Sequence, residues 1–217
     1  MSAIAPFTSD TPFDQVVSDI REKGWSVTDG FFSPALIDAL MADVEELDNA
    51  YMHQAGVGRK TDHQVALDRR RDYIRWIDPE TPARTVFLDA MRDLRVEFNR
   101  RLILGLWDYE AHFARYEEGA FYEKHLDAFK GKSNRVLSTV LYLNEDWQSD
   151  DGGELILFDE HDHNQAVGQY APLKGRLAVF LSEAFPHEVL KAKRTRHSIA
   201  GWFRVNNSIQ NIVDPDQ

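Results

Sequence analysis

A change of hydrophobic period near Tyr109 constrains the fold more than any other feature of this sequence. Before it, apolar residues recur at helical spacing; after it, short alternating runs lie between turn residues. Thr11 with Pro12 reads as an N-cap and first turn, Val16, Val17 and Ile20 give an apolar face, and Gly24 ends the segment. Trp25-Ser26-Val27 reads as a short strand. Ser33-Pro34 repeats the cap signal ahead of Leu36, Ile37, Leu40, Met41, Val44 and Leu47, and a third helix is expected from near Pro82 to before Gly105. Arg71–Ile77 alternates as a strand. From Tyr109 onward the expected strands are Ala111–Glu117, Tyr122–Ala128, Val136–Asn144, Glu154–Phe158, Gln165–Gln169, Arg176–Leu181, His187–Leu190 and Arg196–Val205. Short strands at this spacing predict a sandwich or barrel, with a jelly roll as one natural closure. Helices first and strands afterwards make the class α+β, the N-terminal helices covering one outer face of the sheet.

A chain of 217 residues can bury one sizeable core, and it shows no internal repeat or Pro/Gly/Ser linker. A single domain over 1–217 is therefore expected. Residues 1–108 would be mainly helical support, 109–205 the jelly-roll core and 206–217 a C-terminal tail. The stretch from Gly56 to Arg71 stands apart: it holds Arg59, Lys60, Arg69 and Arg70 with little apolar content. It reads as a solvated loop or, more sharply, as a mobile basic finger beside a site. The sequence has no cysteine, which excludes disulfides, thiolate metal sites, iron–sulfur clusters and cysteine nucleophiles. Any metal must be held by His, Asp or Glu. A net charge of −11 argues against non-specific nucleic-acid binding. The apolar stretches are too short to span a bilayer, and MSAIAPFTSD lacks signal-peptide features, so a cytoplasmic protein without a membrane partner is expected.

Of the eight histidines, His125 has a partner two residues on, in His125-Leu126-Asp127. On a strand, residues i and i+2 share a face, so one imidazole and one carboxylate can reach one ion. His187 opens a late strand. Two histidines and a carboxylate form the facial triad of non-haem Fe(II) oxygenases, which leaves coordination positions open for cosubstrate and oxygen. Arg196 follows His187 by nine residues and leads into an apolar strand; a guanidinium there can grip a carboxylate through two parallel hydrogen bonds. Lys191, Lys193 and Arg194 read as a solvated strand end. His161-Asp162-His163 is a rival metal motif in a polar hairpin loop, and His53, His63, His112 and His197 read as structural. Trp76, Trp107, Trp147 and Trp202 read as core or rim packing. A Gly-rich phosphate loop and a G-x-S-x-G elbow are both absent.

Taken together, these motifs resemble the 2-oxoglutarate- and Fe(II)-dependent oxygenases, and within them the prolyl hydroxylases of the hypoxia-inducible-factor type, including compact bacterial relatives. The resemblance rests on Tyr116 with Tyr122-x-x-His125-x-Asp127 and on Arg135 ahead of Leu141-Tyr142-Leu143-Asn144-x-x-Trp147. It continues through Gly152-Gly153-x-Leu155, Pro186-His187-Glu188-Val189, Thr195-Arg196 and Trp202-Phe203, with Arg71-Asp72-x-Ile74-x-Trp76 upstream. It runs from about residue 15 to 205.

The resemblance implies a double-stranded β-helix in which His125, Asp127 and His187 bind Fe(II). Arg196 would pair with the distal carboxylate of 2-oxoglutarate, Tyr142 would donate to the same group, Tyr116 would line the pocket and Leu155 would pack beside it. From the residues alone, both tyrosines read as half-buried strand packing. The implied reaction hydroxylates C4 of a prolyl residue in a protein with O2, giving succinate and CO2, with ascorbate as reductant and oxygen sensing as one possible role. Tyr122 would stand at the mouth of the site, the 56–71 finger would close over a peptide, and Asp72 would pair with Arg135 on closure. The ordinary reading of that last pair is a surface ion pair worth little. The bacterial relatives suggest elongation factor Tu as substrate. Ser198 departs from the hypoxia-type pattern, which has an apolar residue there, and Arg196-x-Ser198 resembles an Arg-x-Ser carboxylate clamp found elsewhere in the superfamily. Two rival functions stand beside this one: hydroxylation of a free amino acid or other small molecule, and a non-catalytic metal-binding jelly-roll module.

Overall fold

The computed structural model describes residues 4–47, 52–54, 71–128 and 133–206. Apart from Arg71, the basic finger expected at 56–71 lies outside the described residues, as does the tail beyond residue 206. Among the described residues three helices come before the main run of strands, α1 (Phe13–Lys23), α2 (Pro34–Glu46) and α3 (Pro82–Leu102). Serine and threonine caps start the second and third. Ser33 Oγ accepts from the Leu36 amide and Thr81 Oγ1 from the Arg84 amide, each ahead of a proline in the first turn. The α1 cap departs from expectation. Pro12, not Thr11, takes the N-cap position, with helical φ −66° and no side-chain cap. The proline ring already fixes φ in the helical range, so the chain turns inward one residue later. Gly24 ends α1 as expected, at φ 78°.

Strands β1 (Trp25–Thr28), β2 (His53–Gln54) and β3 (Asp72–Trp76) lie among the helices. After α3 come β4 (Leu106–Tyr116), β5 (Tyr122–His125), β6 (Arg135–Tyr142), β7 (Leu155–Phe158), β8 (Ala166–Tyr170), β9 (Leu177–Leu181), β10 (His187–Val189) and β11 (Arg196–Val205). They form a seven-stranded sheet, ordered β1-β9-β6-β11-β4-β3-β2, and a four-stranded sheet, ordered β5-β10-β7-β8. Every strand pairing within these two sheets is antiparallel. This is the jelly-roll sandwich of the expected α+β class.

The alternation of side chains sorts the large sheet's two faces. Phe113, Leu141, Val179, Ile199 and Phe203 share the main core with Val17, Leu40, Phe87 and Phe98 of the helices, so the helices cover the outer face. The inner face carries polar groups as well as Tyr142, Ala178 and Phe180, which pack with Leu155 and Leu157 of the small sheet. The registers align inner-face residues in rows. Asp72, Tyr116 and Arg196 form one row, Ile74, Ala114, Ser198 and Tyr142 the next, and Glu110, Trp202, Ser138 and Phe180 a later one. Among the described residues, no helix is long and apolar enough to cross a membrane.

Candidate active site

His187 on β10 stands directly across from His125 on β5, with the two rings 4.3 Å apart. The Nδ1 of His125 lies 2.7 Å from the Glu123 carbonyl and that of His187 3.2 Å from the Phe185 carbonyl. A carbonyl can only accept, so each Nδ1 carries a proton. Both Nε2 atoms converge on Asp127: His125 Nε2 lies 3.6 Å from Oδ1, and His187 Nε2 lies 3.7 Å from Oδ2. One ligand atom from each of the three residues lies within 4.8 Å of the others, and this is the one such group among the described residues. A metal takes neutral imidazole and ionised carboxylate. Burial, with His125 beside it, pushes His187 down to about 4. Burial works to raise the Asp127 carboxyl, but His187, His125 and Arg135 outweigh it and hold the group well below the usual carboxylate range.

The spacing argument placed Asp127 on the same strand as His125. In the structure β5 ends at His125, and Asp127 sits in the bend that follows. The two side chains still converge, but a turn brings them together rather than the pleat. Tyr122 stacks on the His125 ring at 3.6 Å and 18°.

Beside the triad, on the inner face of the large sheet, lies a second buried cluster. The Arg196 guanidinium sits 4.7 Å from the centre of the Tyr116 ring and 4.9 Å from that of Tyr142. Its Nη1 donates a long bond, 3.5 Å, to Ser198 Oγ. Arg196 is 2% exposed and Tyr142 0%. Arg196 Nε and Tyr142 Oη are both buried without a hydrogen-bond partner. Each orphaned polar group costs about 1–3 kcal/mol, and a carboxylate placed between them would satisfy both. Burial raises the Tyr142 phenol, opposed by Arg196, so the hydroxyl keeps its proton and can donate. Leu155 packs in the same buried cluster as Tyr142.

Arg135 is held by Glu110, with Nε at 3.0 Å and Nη2 at 2.8 Å from Oε1, and its guanidinium lies 3.5 Å above the Trp202 ring. Glu110 also accepts from Arg204, which pairs with Asp108 as well. Asp72 is fully buried on β3. Trp76, His112 and Trp202 form an aromatic cluster on the inner face. The sequence reading left His112 as structural and missed Glu110 and Ser138. Ser138 shares a strand face with Tyr142, four residues on, and that alternation was the available signal. The rival histidines are solvent-facing: His161 and His163 are exposed, and the nearest carboxylate to His161 Nε2 is Glu160, at 3.4 Å.

Residues 111–204 match the 2OG-Fe(II) oxygenase superfamily. The crystal structure of a Pseudomonas putida prolyl-4-hydroxylase is 42% identical, with a TM-score of 0.79 over 88% of this chain and 98% of that one. The chain belongs to the 2-oxoglutarate- and Fe(II)-dependent oxygenases. It is homologous to their prolyl hydroxylases, and the family's chemistry uses Fe(II), 2-oxoglutarate and O2. The Caenorhabditis elegans hypoxia-inducible factor prolyl hydroxylase is 28% identical over 203 residues, covering 88% of this chain and 28% of that much longer protein. A Trichoplax adhaerens prolyl hydroxylase, solved with a hypoxia-inducible factor peptide, shares the fold, with a TM-score of 0.78 at 24% identity over 88% of each chain. The residues present fit the family's two small partners: a three-donor cluster for the metal, and two orphaned buried donors for the cosubstrate carboxylate.

Proposed function

We propose that this oxygenase hydroxylates C4 of a prolyl residue in a protein substrate. The observation that carries the reading is the juxtaposition of the His125, Asp127 and His187 donors with the unsatisfied Arg196–Tyr142 pair. A metal site kept only for structure has no need of a buried anion receptor. Fe(II) bound with 2-oxoglutarate and O2 supplies the oxidant that converts a C–H bond into C–OH, with succinate and CO2 as co-products. The chain's residues do the rest. His125, Asp127 and His187 would hold the metal. Arg196 grips the distal carboxylate of the cosubstrate in the fork geometry that guanidinium allows, while Tyr142 donates its hydroxyl and Ser198 steadies Nη1. Tyr116 and Leu155 wall the pocket and exclude water, which strengthens the ion pair.

Tyr122, stacked on His125, marks the mouth through which a peptide enters, and Arg135 over Trp202 extends that wall. A prolyl substrate is supported by the 42% identity to a prolyl-4-hydroxylase across nearly all of that chain. Elongation factor Tu is the candidate protein suggested by the family resemblance, ascorbate the reductant, and a reducing cytoplasm the compartment that suits Fe(II) chemistry. The test is to incubate the iron-loaded protein with elongation factor Tu and 2-oxoglutarate, then map oxidation by mass spectrometry. A gain of one oxygen on a proline, absent in Asp127→Ala, is the expected result. Turnover of free amino acids with no modified protein would favour the small-molecule reading instead.

A further inference from the structure

We propose that Ser138, backed by Ser182, is a positioning residue that fixes Asp127 so that only one of its carboxylate oxygens is offered to the metal. The inference rests on reading His125, Asp127 and His187 as iron ligands. It begins from where the carboxylate sits. Because β5 stops at His125, no strand backbone sets the direction of Asp127. The two oxygens stand almost symmetrically, Oδ1 3.6 Å from one imidazole and Oδ2 3.7 Å from the other. Nothing in that pair of distances tells one oxygen from the other.

Ser138 breaks the symmetry. It lies on the central strand β6, in the row between Trp202 and Phe180, and its hydroxyl donates to Asp127 Oδ2 at 2.6 Å. A hydroxyl has one proton, and that bond uses it. The 2.8 Å contact between Ser138 Oγ and Ser182 Oγ must therefore run from Ser182 to Ser138. The result is a directed chain, Ser182 to Ser138 to Asp127, with each donor polarising the next. Both serines are almost fully buried, at 1% and 0% exposure, so water does not compete for these bonds. Ser182 also secures the bend through its backbone: its carbonyl accepts from the Ala128 amide at 3.3 Å, and its own amide donates to Val136 at 2.9 Å.

The consequence concerns coordination number. With Oδ2 engaged by Ser138, Oδ1 is left as the metal-binding oxygen and Asp127 binds through one atom. A carboxylate free to bind through both would take up a position that the cosubstrate or oxygen needs. Partners of this kind orient metal ligands, and losing one typically costs about 10–100-fold in metal affinity or activity.

Ser138→Thr and Ser138→Val test the proposal, because the two side chains have the same shape and only threonine keeps the hydroxyl. Fe(II) affinity and the visible Fe(II)–2-oxoglutarate absorption band are read anaerobically in both variants and in the unsubstituted protein. The expected result is near-normal affinity and band position for Ser138→Thr. Ser138→Val should lose about 10-fold or more in Fe(II) affinity and show a displaced band. Ser182→Ala, which leaves the Ser138 hydroxyl in place, should give a smaller loss in the same direction and covers the case in which neither Ser138 variant folds. Equal behaviour of the threonine and valine variants, or an unchanged Ser182→Ala where those two fail to fold, overturns the role of Ser138. Absence of any band in the unsubstituted protein overturns the iron-ligand reading beneath it.

Discussion

Tyr116 on β4 is the cross-strand neighbour of Arg196 on β11, and the guanidinium lies 4.7 Å from the centre of its ring. Tyr142, from β6 in the next row, closes the other side at 4.9 Å. The Arg196, Tyr116 and Tyr142 cluster is thus built entirely on the large sheet. His125 and His187 come from the small sheet, and Asp127 from the bend after β5. If the His125, Asp127 and His187 cluster holds Fe(II) and the Arg196 cluster the cosubstrate carboxylate, as proposed, each half can be impaired without the other.

Arg196→Ala should therefore abolish tight 2-oxoglutarate binding while leaving Fe(II) binding nearly intact. Truncating one partner of a buried, hydrogen-bonded charge pair costs about 2–5 kcal/mol. Arg196→Lys should recover only part of it, because an ammonium lacks the planar fork. Calorimetric titration with each ligand separately checks this. Equal loss of both would mean that Arg196 supports the fold rather than the cosubstrate.

The residues that the fold gathers into the candidate site stood out in the sequence because local spacing and neighbouring residue types mark them: the His125–Asp127 pair, His187 nine residues ahead of Arg196, and the glycine pair before Leu155. What was not legible depends on register between strands far apart in sequence. Glu110 meets Arg135 and Arg204 only because β4, β11 and β6 lie side by side in one alignment. Ser138 meets Asp127 only because the small sheet folds over the large one. The end of β5 before Asp127 was also missed, since alternation in Tyr122–Ala128 continues past the point where pairing with β10 stops.

Gly153 offers a test of the receptor's packing. It adopts φ +70°, and a Cβ there would lie 3.1 Å from Arg196 Cδ, 3.2 Å from Ala192 Cβ and 3.3 Å from Trp147 Cζ2. Gly153→Ala should cost about 1–2 kcal/mol of stability from the left-handed backbone alone. It should also press on the Arg196 stem and raise the KM for 2-oxoglutarate more than that for the peptide. Thermal unfolding and paired KM measurements report the two effects.

Acid should destabilise the metal-free protein in a window set by two histidines. Burial pushes His187 down to about 4, and burial with Arg115 and Arg196 nearby does the same to His197. Both are neutral in the folded state down to about pH 4, while in the unfolded chain they take up protons below about 6.5. Across that window the unfolded state binds more protons, so stability falls as pH falls and is flat above it for these groups. The melting temperature of the metal-free protein should drop between pH 6.5 and 4, and His197→Gln should flatten the slope. An unchanged slope in that variant would place His197 in water.

Glu110 supports the last prediction. It accepts two bonds from Arg135 and one from Arg204, and the side chains of these residues are only 11%, 18% and 9% exposed. Asp108 remains on Arg204 when Glu110 is neutralised, but Arg135 loses the anion that holds its guanidinium over Trp202. Breaking a fully buried pair costs about 3–5 kcal/mol. Partial exposure of Arg135 sets the expectation for Glu110→Gln at the low end of that range. An Arg135 released from Glu110 also leaves the Trp202 face, so the KM for a prolyl peptide should rise while that for 2-oxoglutarate stays unchanged. Urea unfolding gives the first quantity and steady-state kinetics the second. A destabilised variant with normal peptide KM would assign the Glu110–Arg135 pair to the fold alone, and would move the peptide wall toward Tyr122 and Trp76.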